Sequence, residues 1–336
     1  MIKVGVIGAG RIGKVHMTSI NNGVPDAVVK TVADPFMNEE MSEWAKKHGV
    51  EHTTKDYKEI LNDPEIKAVL ICSSTNTHVQ LSLEAIAAGK HVFCEKPIDH
   101  DIKNIEKVKK TLEGSGLKYM VGFNRRFDHN FDALKKAVKE GKIGRLEMVK
   151  ITSRDPEPPS ADYVKVSGGM FLDMTIHDFD MVRFLSDADV DEVYAIASNV
   201  VDPSIGEAGD IDTAIISLKL SNGALAVIDN SRRAVYGYDQ RAEVFGSEGM
   251  AEIKNDTATS TIISNKESIS SEKPLFFFLE RYIDAYAKEM RDFINAIVND
   301  EEVPVGIDDG LKPVLIAKAA KKSYQENRPV KISEMK

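Results

Sequence analysis

The sequence predicts an α/β protein with two domains: an N-terminal doubly wound parallel sheet and a C-terminal α/β domain with a large, mostly antiparallel open sheet. The chain has 336 residues, and single hydrophobic cores stop growing near about 250–300 residues. Strand-sized apolar runs alternate with helical patterns up to about residue 122, which is typical of βαβ units. Beyond it, strand-like segments follow one another directly. The expected domains are residues 1–122 and 123–336.

Apolar runs predict the strands of the first domain. Residues 2–7 are continuously apolar after Lys3, as a strand buried on both faces should be. Four further runs have this character, at 28–33, 68–72, 91–94 and 118–121. Helical patterns separate them, from the glycine loop to about residue 22 and at 38–47, 79–88 and 101–113. This order implies right-handed crossovers between parallel strands.

The second domain has a different rhythm. Helices are predicted at 128–139, 173–185, 279–298 and 308–325, and strands at 146–153, 193–201, 212–220, 225–229 and 241–245. Asn222-Gly223 is a hairpin turn signal between two of these strands. Residues 154–163 are too rich in proline for either element. The polar stretch 264–273 is expected to be an exposed loop.

Composition excludes several classes of protein. The formal net charge is −9, from 44 basic and 53 acidic residues, which gives no basic footprint for nucleic acid or a membrane surface. The apolar runs are too short to span a bilayer, and the amino terminus lacks a secretory cleavage pattern. Cys72 and Cys94 are too few for a disulfide framework or a zinc site. We expect a cytoplasmic, metal-free protein with neither nucleic-acid nor membrane partners.

A glycine motif predicts a dinucleotide site. Gly8-Ala9-Gly10-Arg11-Ile12-Gly13 follows the first strand and opens a helix, the context that G-x-G-x-x-G requires. In that motif the first glycine permits a tight turn, the second lets backbone approach a pyrophosphate, and the third lets helix pack on strand. Asp34 ends the second strand and can bind both adenosine ribose hydroxyls, which favours NAD over NADP. The alternative is a plain turn with Asp34 capping the next helix.

Other strand ends should line the nicotinamide side of the crevice. They contribute Ser73, Thr75, Asn76 and His78 after one strand, and Glu95 and Lys96 after the next. For the first group the alternative is ordinary capping of the following helix. The ammonium of Lys96 could stabilise a developing alkoxide, whereas the alternative is a solvated surface lysine. Both cysteines fit small buried hydrophobic residues better than nucleophiles.

The spacing of Asp173 and His177 predicts acid–base chemistry. Residues four apart share a helix face, and a carboxylate beside an imidazole suits a general base. Gly168-Gly169, just before the pair, suggests close approach of backbone to a ligand. Two alternatives stay open: Asp173 as an N-cap with His177 in the core, or a metal site that includes Asp178 and Asp180.

Together, these motifs carry a resemblance over essentially the full chain. G-x-G-x-x-G, Asp34, Glu95-Lys96-Pro97, the segment 122–127 (GFNRRF) and Asp173-x-x-x-His177 resemble the Gfo/Idh/MocA oxidoreductases. Within them, the chain is most similar to inositol 2-dehydrogenases. The segments that carry this closer similarity are 153–156 (SRDP), 168–169 (GG), 173–180 (DMTIHDFD) and 236–239 (YGYD).

The resemblance implies a Rossmann domain, a C-terminal open sheet that forms a homo-oligomer (a tetramer or a dimer), and a cis peptide before Pro97. It implies a catalytic set of Lys96, Asp173 and His177. Substrate contacts would map to Asp155, Asp180, Tyr236 and either Arg125 or Arg126.

The expected reaction is NAD-dependent oxidation of a ring hydroxyl of a cyclic polyol, myo-inositol to 2-keto-myo-inositol. His177 would take the hydroxyl proton while Lys96, from the other domain, steadies the same oxygen. Two alternatives stay open. One is a dehydrogenase of the same family for scyllo- or chiro-inositol or a pyranose sugar. The other is a catalytically silent regulator that senses NAD.

Overall fold

The computed structural model describes residues 1–335, which divide into two compact units. The first unit comprises Met1–Phe127 and Asp284–Lys312. The second comprises Asp128–Ile283 and the chain from Pro313 onward. The sequence places a boundary near the first division, after residue 122. It assigns residues 284–312 to the C-terminal domain, whereas the structure groups them with the first unit.

The first unit is built on a six-stranded sheet whose neighbouring strands are all parallel. The strands are β1 (Ile2–Ile7), β2 (Ala27–Ala33), β3 (His52–Thr54), β4 (Ile66–Ile71), β5 (His91–Glu95) and β6 (Tyr119–Gly122). Their spatial order is β3-β2-β1-β4-β5-β6. The order reverses between β1 and β4, and ligands of doubly wound sheets bind outside the strand ends at that point. The predicted parallel sheet is confirmed.

Helices connect these strands. They are α1 (Arg11–Gly23), α2 (Glu39–Lys47), α3 (Lys58–Asn62), α4 (Thr75–Ala87) and α5 (Ile102–Leu112), followed by a 3-10 helix (Asn124–Phe127). All the helices that the sequence predicts here are present. The short β3 and α3 are not in the prediction, because three and five residues are too few to show a hydrophobic period.

The second unit contains a seven-stranded sheet that is mostly antiparallel. Its strands and those of a separate hairpin are β7 (Leu146–Arg154), β8 (Val190–Ser198), β9 (Thr213–Leu220), β10 (Leu225–Ser231), β11 (Asp239–Gly246), β12 (Gly249–Ile253), β13 (Ile262–Ser264), β14 (Ile269–Ser271) and β15 (Val330–Lys331). The sheet order is β12-β11-β7-β10-β9-β8-β15. Among the described strands of this sheet, only β7 and β10 pair in parallel. The predicted mostly antiparallel sheet is confirmed.

Strand β9 shows how this sheet is buried. Ile216 and Leu218 are buried, whereas Ile215, between Ala214 and Ile216, is 57% exposed. Alternate side chains of a strand point to opposite faces, so one face of the sheet is covered and the other is open. The turn between β9 and β10 is the predicted one, with Gly223 at φ 86°.

The remaining helices lie in the second unit, except within residues 284–312, which belong to the first. They are α6 (His129–Lys139), α7 (Ala161–Ser167), α8 (Met170–Asp173), α9 (Ile176–Ser186), α10 (Pro203–Glu207), α11 (Phe278–Arg281), α12 (Ile283–Val298) and α13 (Ile307–Glu326), with a 3-10 helix at Ile332–Met335. Of the described helices, none is both long enough and apolar enough to cross a membrane.

Three predictions for this half need correction. Residues 154–163 contain the start of α7, because the Ser160 side chain accepts a hydrogen bond from the Tyr163 amide and caps a helix beyond the prolines. The predicted loop 264–273 overlaps the exposed hairpin of β13 and β14, whose turn is closed by Asn265. The predicted helix 279–298 is two helices, with Tyr282 between them in a non-helical conformation.

Aromatic packing explains why residues 284–312 belong to the first unit. The Tyr286 ring stands edge-on to the His16 ring, with 5.6 Å between their centroids. The ring centroids of Phe293 and Phe93 lie 5.8 Å apart. The edge strand β6 also receives a partner here, since the Val121 amide donates to the Val305 carbonyl. Sequence periodicity identifies these helices but cannot show which sheet they cover.

Candidate active site

The glycine turn between β1 and α1 is held by backbone contacts that leave no room for side chains. Gly8 has φ 105°, and a Cβ atom there would lie 2.7 Å from the backbone of Cys72. A Cβ atom at Gly13 would lie 2.0 Å from the Gly8 carbonyl oxygen. Both positions therefore require glycine, one for the turn and one for the close packing of α1 on β1.

Gly10 differs from Gly8 and Gly13, the other two glycines of the motif. It is the N-cap of α1 at φ −70°, and a Cβ atom there would meet nothing within 4 Å. Glycine also supplies no side chain to cap the first turn, which begins with Arg11 and Ile12. The first amide groups of a helix lack intrahelical partners and attract anions. The space beside Gly10 and these amides fit a pyrophosphate.

Asp34 lies directly after β2 and beside the glycine turn. Its carboxylate accepts hydrogen bonds from the amides of Ala9, at 2.8 Å, and Phe36, at 2.9 Å. Helix α2 is capped by Asn38, whose side chain accepts from the Met41 amide. The alternative in which Asp34 caps that helix is therefore wrong. Asp34 holds the loop in place and stays partly exposed at the strand end.

The segment after β4 is bonded to itself and to the end of β5. The Ser73 and Thr77 hydroxyls lie 2.7 Å apart. The N-cap of α4, Ser74, makes no side-chain cap bond. The His78 ring is buried, with one nitrogen 2.9 Å from the Pro97 carbonyl and the other 3.0 Å from the Ser73 carbonyl. Thr75 and Asn76 begin α4, Thr75 partly exposed and Asn76 exposed.

Glu95 and Lys96 differ in where they lie. Glu95 is buried, and its Oε1 atom is 2.6 Å from His16 Nε2. Burial and the charge of Glu95 raise the pKa of the fully buried Glu289 well above its usual value. Lys96 is partly exposed at the end of β5, and its bond to Pro97 is cis as the resemblance implies. The Glu95 carboxylate therefore faces the interior, and Lys96 is the accessible member of the motif.

Asp173 and His177 lie on two helices, not one. Asp173 ends α8 and His177 is the second residue of α9. The His177 amide bonds to the Met174 carbonyl, and Asp178 bonds to Thr175. Both are short i to i−3 bonds, so the chain turns tightly between the two helices. The predicted continuous helix over 173–185 is wrong at this point.

A buried arginine joins two of the predicted site carboxylates. Arg232 is 4% exposed, and its guanidinium donates to Asp173 at 2.8 Å and to Asp155 at 3.2 Å. The Tyr163 hydroxyl donates to the other oxygen of Asp173 at 2.8 Å. Burial and Asp173 raise the pKa of Tyr163 well above its usual value, so this hydroxyl stays protonated. We name these four residues the Arg232 cluster.

Sequence reasoning missed Arg232 and Tyr163. Arg232 follows β10, and Tyr163 lies on α7, in a segment expected to hold no element. Each donates a hydrogen bond to Asp173, which lies ten or more positions away in sequence. The only local signal was the excess of aspartates around residues 155–180, which calls for a buried cation somewhere.

The start of α9 is fixed by two hydrogen bonds to Asn230. Its amide nitrogen donates to Asp178 at 2.9 Å, and its oxygen accepts from the Thr175 hydroxyl at 2.7 Å. Asp178 and Asp180 are both fully buried. These bonds anchor the turn that carries His177, which is partly exposed.

Other predicted substrate residues lie in separate groups of contacts. The Tyr236 hydroxyl donates to Asp239 at 2.6 Å and accepts from Arg154 at 3.3 Å. Arg125 is buried in the first unit, whereas Arg126 donates to Asp309. These hydrogen bonds tie Asp155 and Asp173 together through Arg232 and place Tyr236 in a different polar group.

A cluster with metal-like spacing occurs elsewhere. Among residues 1–335, Asp128, His129 and Asp256 form the one group of three such side chains within reach of a common ion. Arg281 already pairs with Asp128 at 2.5 Å and with Asp256 at 2.9 Å. The guanidinium supplies the cation there.

Comparison with known proteins identifies relatives of both units. Residues 2–123 match the description "Oxidoreductase family, NAD-binding Rossmann fold", and residues 131–252 match "GFO/IDH/MocA C-terminal domain". The myo-inositol 2-dehydrogenase of Thermotoga maritima is 46% identical over 99% of each chain. The inositol 2-dehydrogenase of Rhizobium meliloti is 44% identical over 99% of each.

A solved structure adds ligands to the comparison. The scyllo-inositol dehydrogenase of Lactobacillus casei, solved with NAD(H) and scyllo-inositol, superposes with a TM-score of 0.92. It is 33% identical, and the alignment covers 99% of each chain.

Two alanine variants separate the roles of the glycines. We expect Gly13→Ala to destabilise the protein, because its methyl group would meet the Gly8 carbonyl at 2.0 Å. Gly10→Ala should keep a near-normal melting temperature, since its methyl group meets no protein atom. It should nevertheless weaken NAD binding roughly tenfold or more, by filling the space at the helix N-terminus. Calorimetry measures both; normal NAD affinity in Gly10→Ala would contradict the assignment.

Proposed function

The chain belongs to the GFO/IDH/MocA oxidoreductase family, and we propose that it oxidises myo-inositol to 2-keto-myo-inositol with NAD as hydride acceptor. The observation that carries this proposal is the full-length similarity to inositol 2-dehydrogenases. Identity to the scyllo-inositol 2-dehydrogenase of Bacillus subtilis is lower, 31% over 98% of this chain. We therefore propose myo-inositol, and not its scyllo isomer, as the substrate.

The residues of the first unit fit NAD. The open position at Gly10 and the uncapped start of α1 suit the pyrophosphate. Asp34, beside the glycine turn, suits the ribose hydroxyls and disfavours a 2′-phosphate. Ser73, Thr75, Asn76 and Glu95 stay predictions as cofactor residues. NAD, when bound, accepts a hydride from the carbon that is oxidised.

The chain itself supplies the proton chemistry. Neutral His177 accepts the proton of the reacting hydroxyl, and Lys96 donates a hydrogen bond to that oxygen as it becomes a carbonyl. Both side chains are partly exposed, as contact with a substrate requires. Asp155 and Tyr236, which are at least partly exposed, are proposed to bind ring hydroxyls. Asp180 and Arg125 are buried and stay predictions as substrate residues.

The Arg232 cluster gives Asp173 a defined state. One carboxylate oxygen accepts a hydrogen bond from the Arg232 guanidinium, and the other accepts one from the Tyr163 hydroxyl. Because both of its oxygens accept hydrogen bonds, Asp173 is proposed to act as a fixed negative charge and not as a proton acceptor. Arg232 is therefore proposed as a positioning residue for both Asp173 and Asp155.

The open face of the second sheet supports a homo-oligomer. Ile196 and Ile215 are cross-strand neighbours that are 58% and 57% exposed. Met148, Leu225 and Phe245 are exposed too. An apolar face of this kind marks a site of association, and a second copy of the same sheet is the proposed partner, in a dimer or a tetramer.

Substrate oxidation can be followed by NADH absorbance. With NAD, myo-inositol should give the highest kcat/KM in a panel that includes scyllo- and chiro-inositol and glucose. His177→Ala should lower turnover roughly 100-fold or more while NAD still binds, because the proton acceptor is lost. His129→Ala is the control, since this exposed histidine lies in the same unit.

The results separate the alternatives. Preference for another polyol reassigns the substrate but keeps the chemistry. Absence of turnover with every sugar and polyol, despite NAD binding, would favour the silent regulator. Unimpaired turnover in His177→Ala would remove His177 from the mechanism.

Arg232 has its own test. Arg232→Met leaves two partly buried carboxylates without the buried cation that they share. Breaking a fully buried ion pair costs about 3–5 kcal/mol, which is the upper limit for this site. We expect a lower melting temperature and a kcat reduced tenfold or more, with NAD affinity unchanged. Arg232→Lys keeps the charge but not the fork of donors, so it should recover part of kcat. Equal kcat in wild type and Arg232→Met would show that the cluster is only structural.

Association can be measured by light scattering. We expect a particle of two or four times the 37.1 kDa chain mass. Ile215→Glu should lower that mass, because it places a charge in the apolar face. Val298→Glu, at a position that is 52% exposed but off the sheet, should leave it unchanged. A monomeric wild type would contradict the proposal.

A further inference from the structure

His78 is buried between two carbonyl groups that can only accept hydrogen bonds. The ring is 1% exposed, with Nδ1 at 2.9 Å from the Pro97 oxygen and Nε2 at 3.0 Å from the Ser73 oxygen. A neutral imidazole carries one N–H group, whereas an imidazolium carries two. The neutral ring would therefore press a nitrogen lone pair against one carbonyl oxygen in a site closed to water.

We propose that His78 is held as an imidazolium at neutral pH, and that its two hydrogen bonds position the cofactor-binding segments after β4 and β5. This makes His78 a positioning residue and not a direct cofactor contact. The proposal rests on the proposed NAD site for its functional consequence.

The two carbonyl groups lie at the ends of neighbouring strands, so a charged His78 ring links these two strand ends. Strands β4 and β5 are parallel neighbours, with Ile71 opposite Cys94. Ser73 follows the first strand and Pro97 follows the second, next to Lys96. A single cation thus ties together two strand ends at the edge where the cofactor is expected. Hydrogen bonds from a charged donor are stronger than neutral ones.

The surroundings favour the charged ring. Burial lowers the pKa of His78, but Cys94 on β5 and the two carbonyls raise it further, to about 9. Behind Cys94, Tyr119 on β6 is bonded to Ser82 of α4, and burial raises the pKa of Tyr119 well above its usual value. Cys94 is the titratable side chain that acts most strongly on the pKa of His78.

The pH range follows from the direction of this shift. A histidine whose pKa is raised on folding contributes its full stabilisation below pH 6.5, the unfolded value. The contribution persists through neutral pH and is lost as the pH rises through about 9. The two segments should then separate from the ring, and NAD should bind less tightly.

Nitrogen NMR of histidine-labelled, full-length protein tests the charge directly. At pH 8 we expect one histidine with both ring nitrogens protonated, a signal that titrates near pH 9 and is absent in His78→Gln. His91→Gln is the control. His91 lies at the opposite end of β5, and burial lowers its pKa, so it is neutral at pH 8. If no histidine of the wild type is doubly protonated at pH 8, the proposal is overturned, whether or not His78→Gln folds.

Calorimetry with NAD tests the positioning role. Wild type and His91→Gln should lose roughly tenfold in affinity between pH 7.5 and 9.5. His78→Gln should bind NAD roughly tenfold more weakly at pH 7.5, with no further loss at pH 9.5. Wild-type affinity in His78→Gln at both pH values would refute the positioning role. A wild type that binds no NAD at any pH would instead refute the proposed function, and the NMR result would still stand.

Discussion

The approach of Gly13 to the Gly8 carbonyl is the contact on which the first unit depends. It sets helix α1 against strand β1 at a distance that no side chain permits. With α1 in this place, its first amides point out of the turn and Ala9 reaches Asp34. Three residues after Gly13, His16 reaches Glu95, the residue before Lys96. One steric fit therefore orders two residues that are 79 positions apart in sequence.

The second unit is ordered by polar bonds at the end of β10. Asn230 and Arg232 lie at and just after this end, on a strand in the middle of the sheet. Asn230 fixes the start of α9, and Arg232 fixes the end of α8. Buried bonds of this kind are costly to break, since each lost partner leaves a desolvated polar group. These bonds stabilise the tight turn between α8 and α9, which the packing of apolar side chains alone would not specify.

Much of the fold could be predicted because it rests on local patterns. The strands of the parallel sheet show continuous apolar runs, and the β9–β10 turn carries its Asn-Gly signal. The glycine motif could be interpreted because its spacing and its place between a strand and a helix are local features of the sequence. The role of Asp34 could be predicted from its place at the end of the second strand, after the glycine motif.

The remainder depends on partners distant in sequence. Arg232 looks like any loop arginine until Asp155 and Asp173 are brought to it. His78 resembles a cofactor contact until both of its nitrogens are seen to face carbonyls. The break between α8 and α9 falls in a segment whose buried residues, polar ones included, lie on nearly all sides, so periodicity could not reveal it.

The discontinuity of the first unit has a consequence for synthesis of the chain. Residues 284–312 cover His16 and Phe93, yet they leave the ribosome after nearly everything else. Until then the nascent parallel sheet shows the solvent an apolar surface that its finished form conceals. Chains emerge over tens of seconds at about 5–20 residues per second. For most of that interval, apolar surface of the first unit stays exposed and open to aggregation, although most of this unit was translated first.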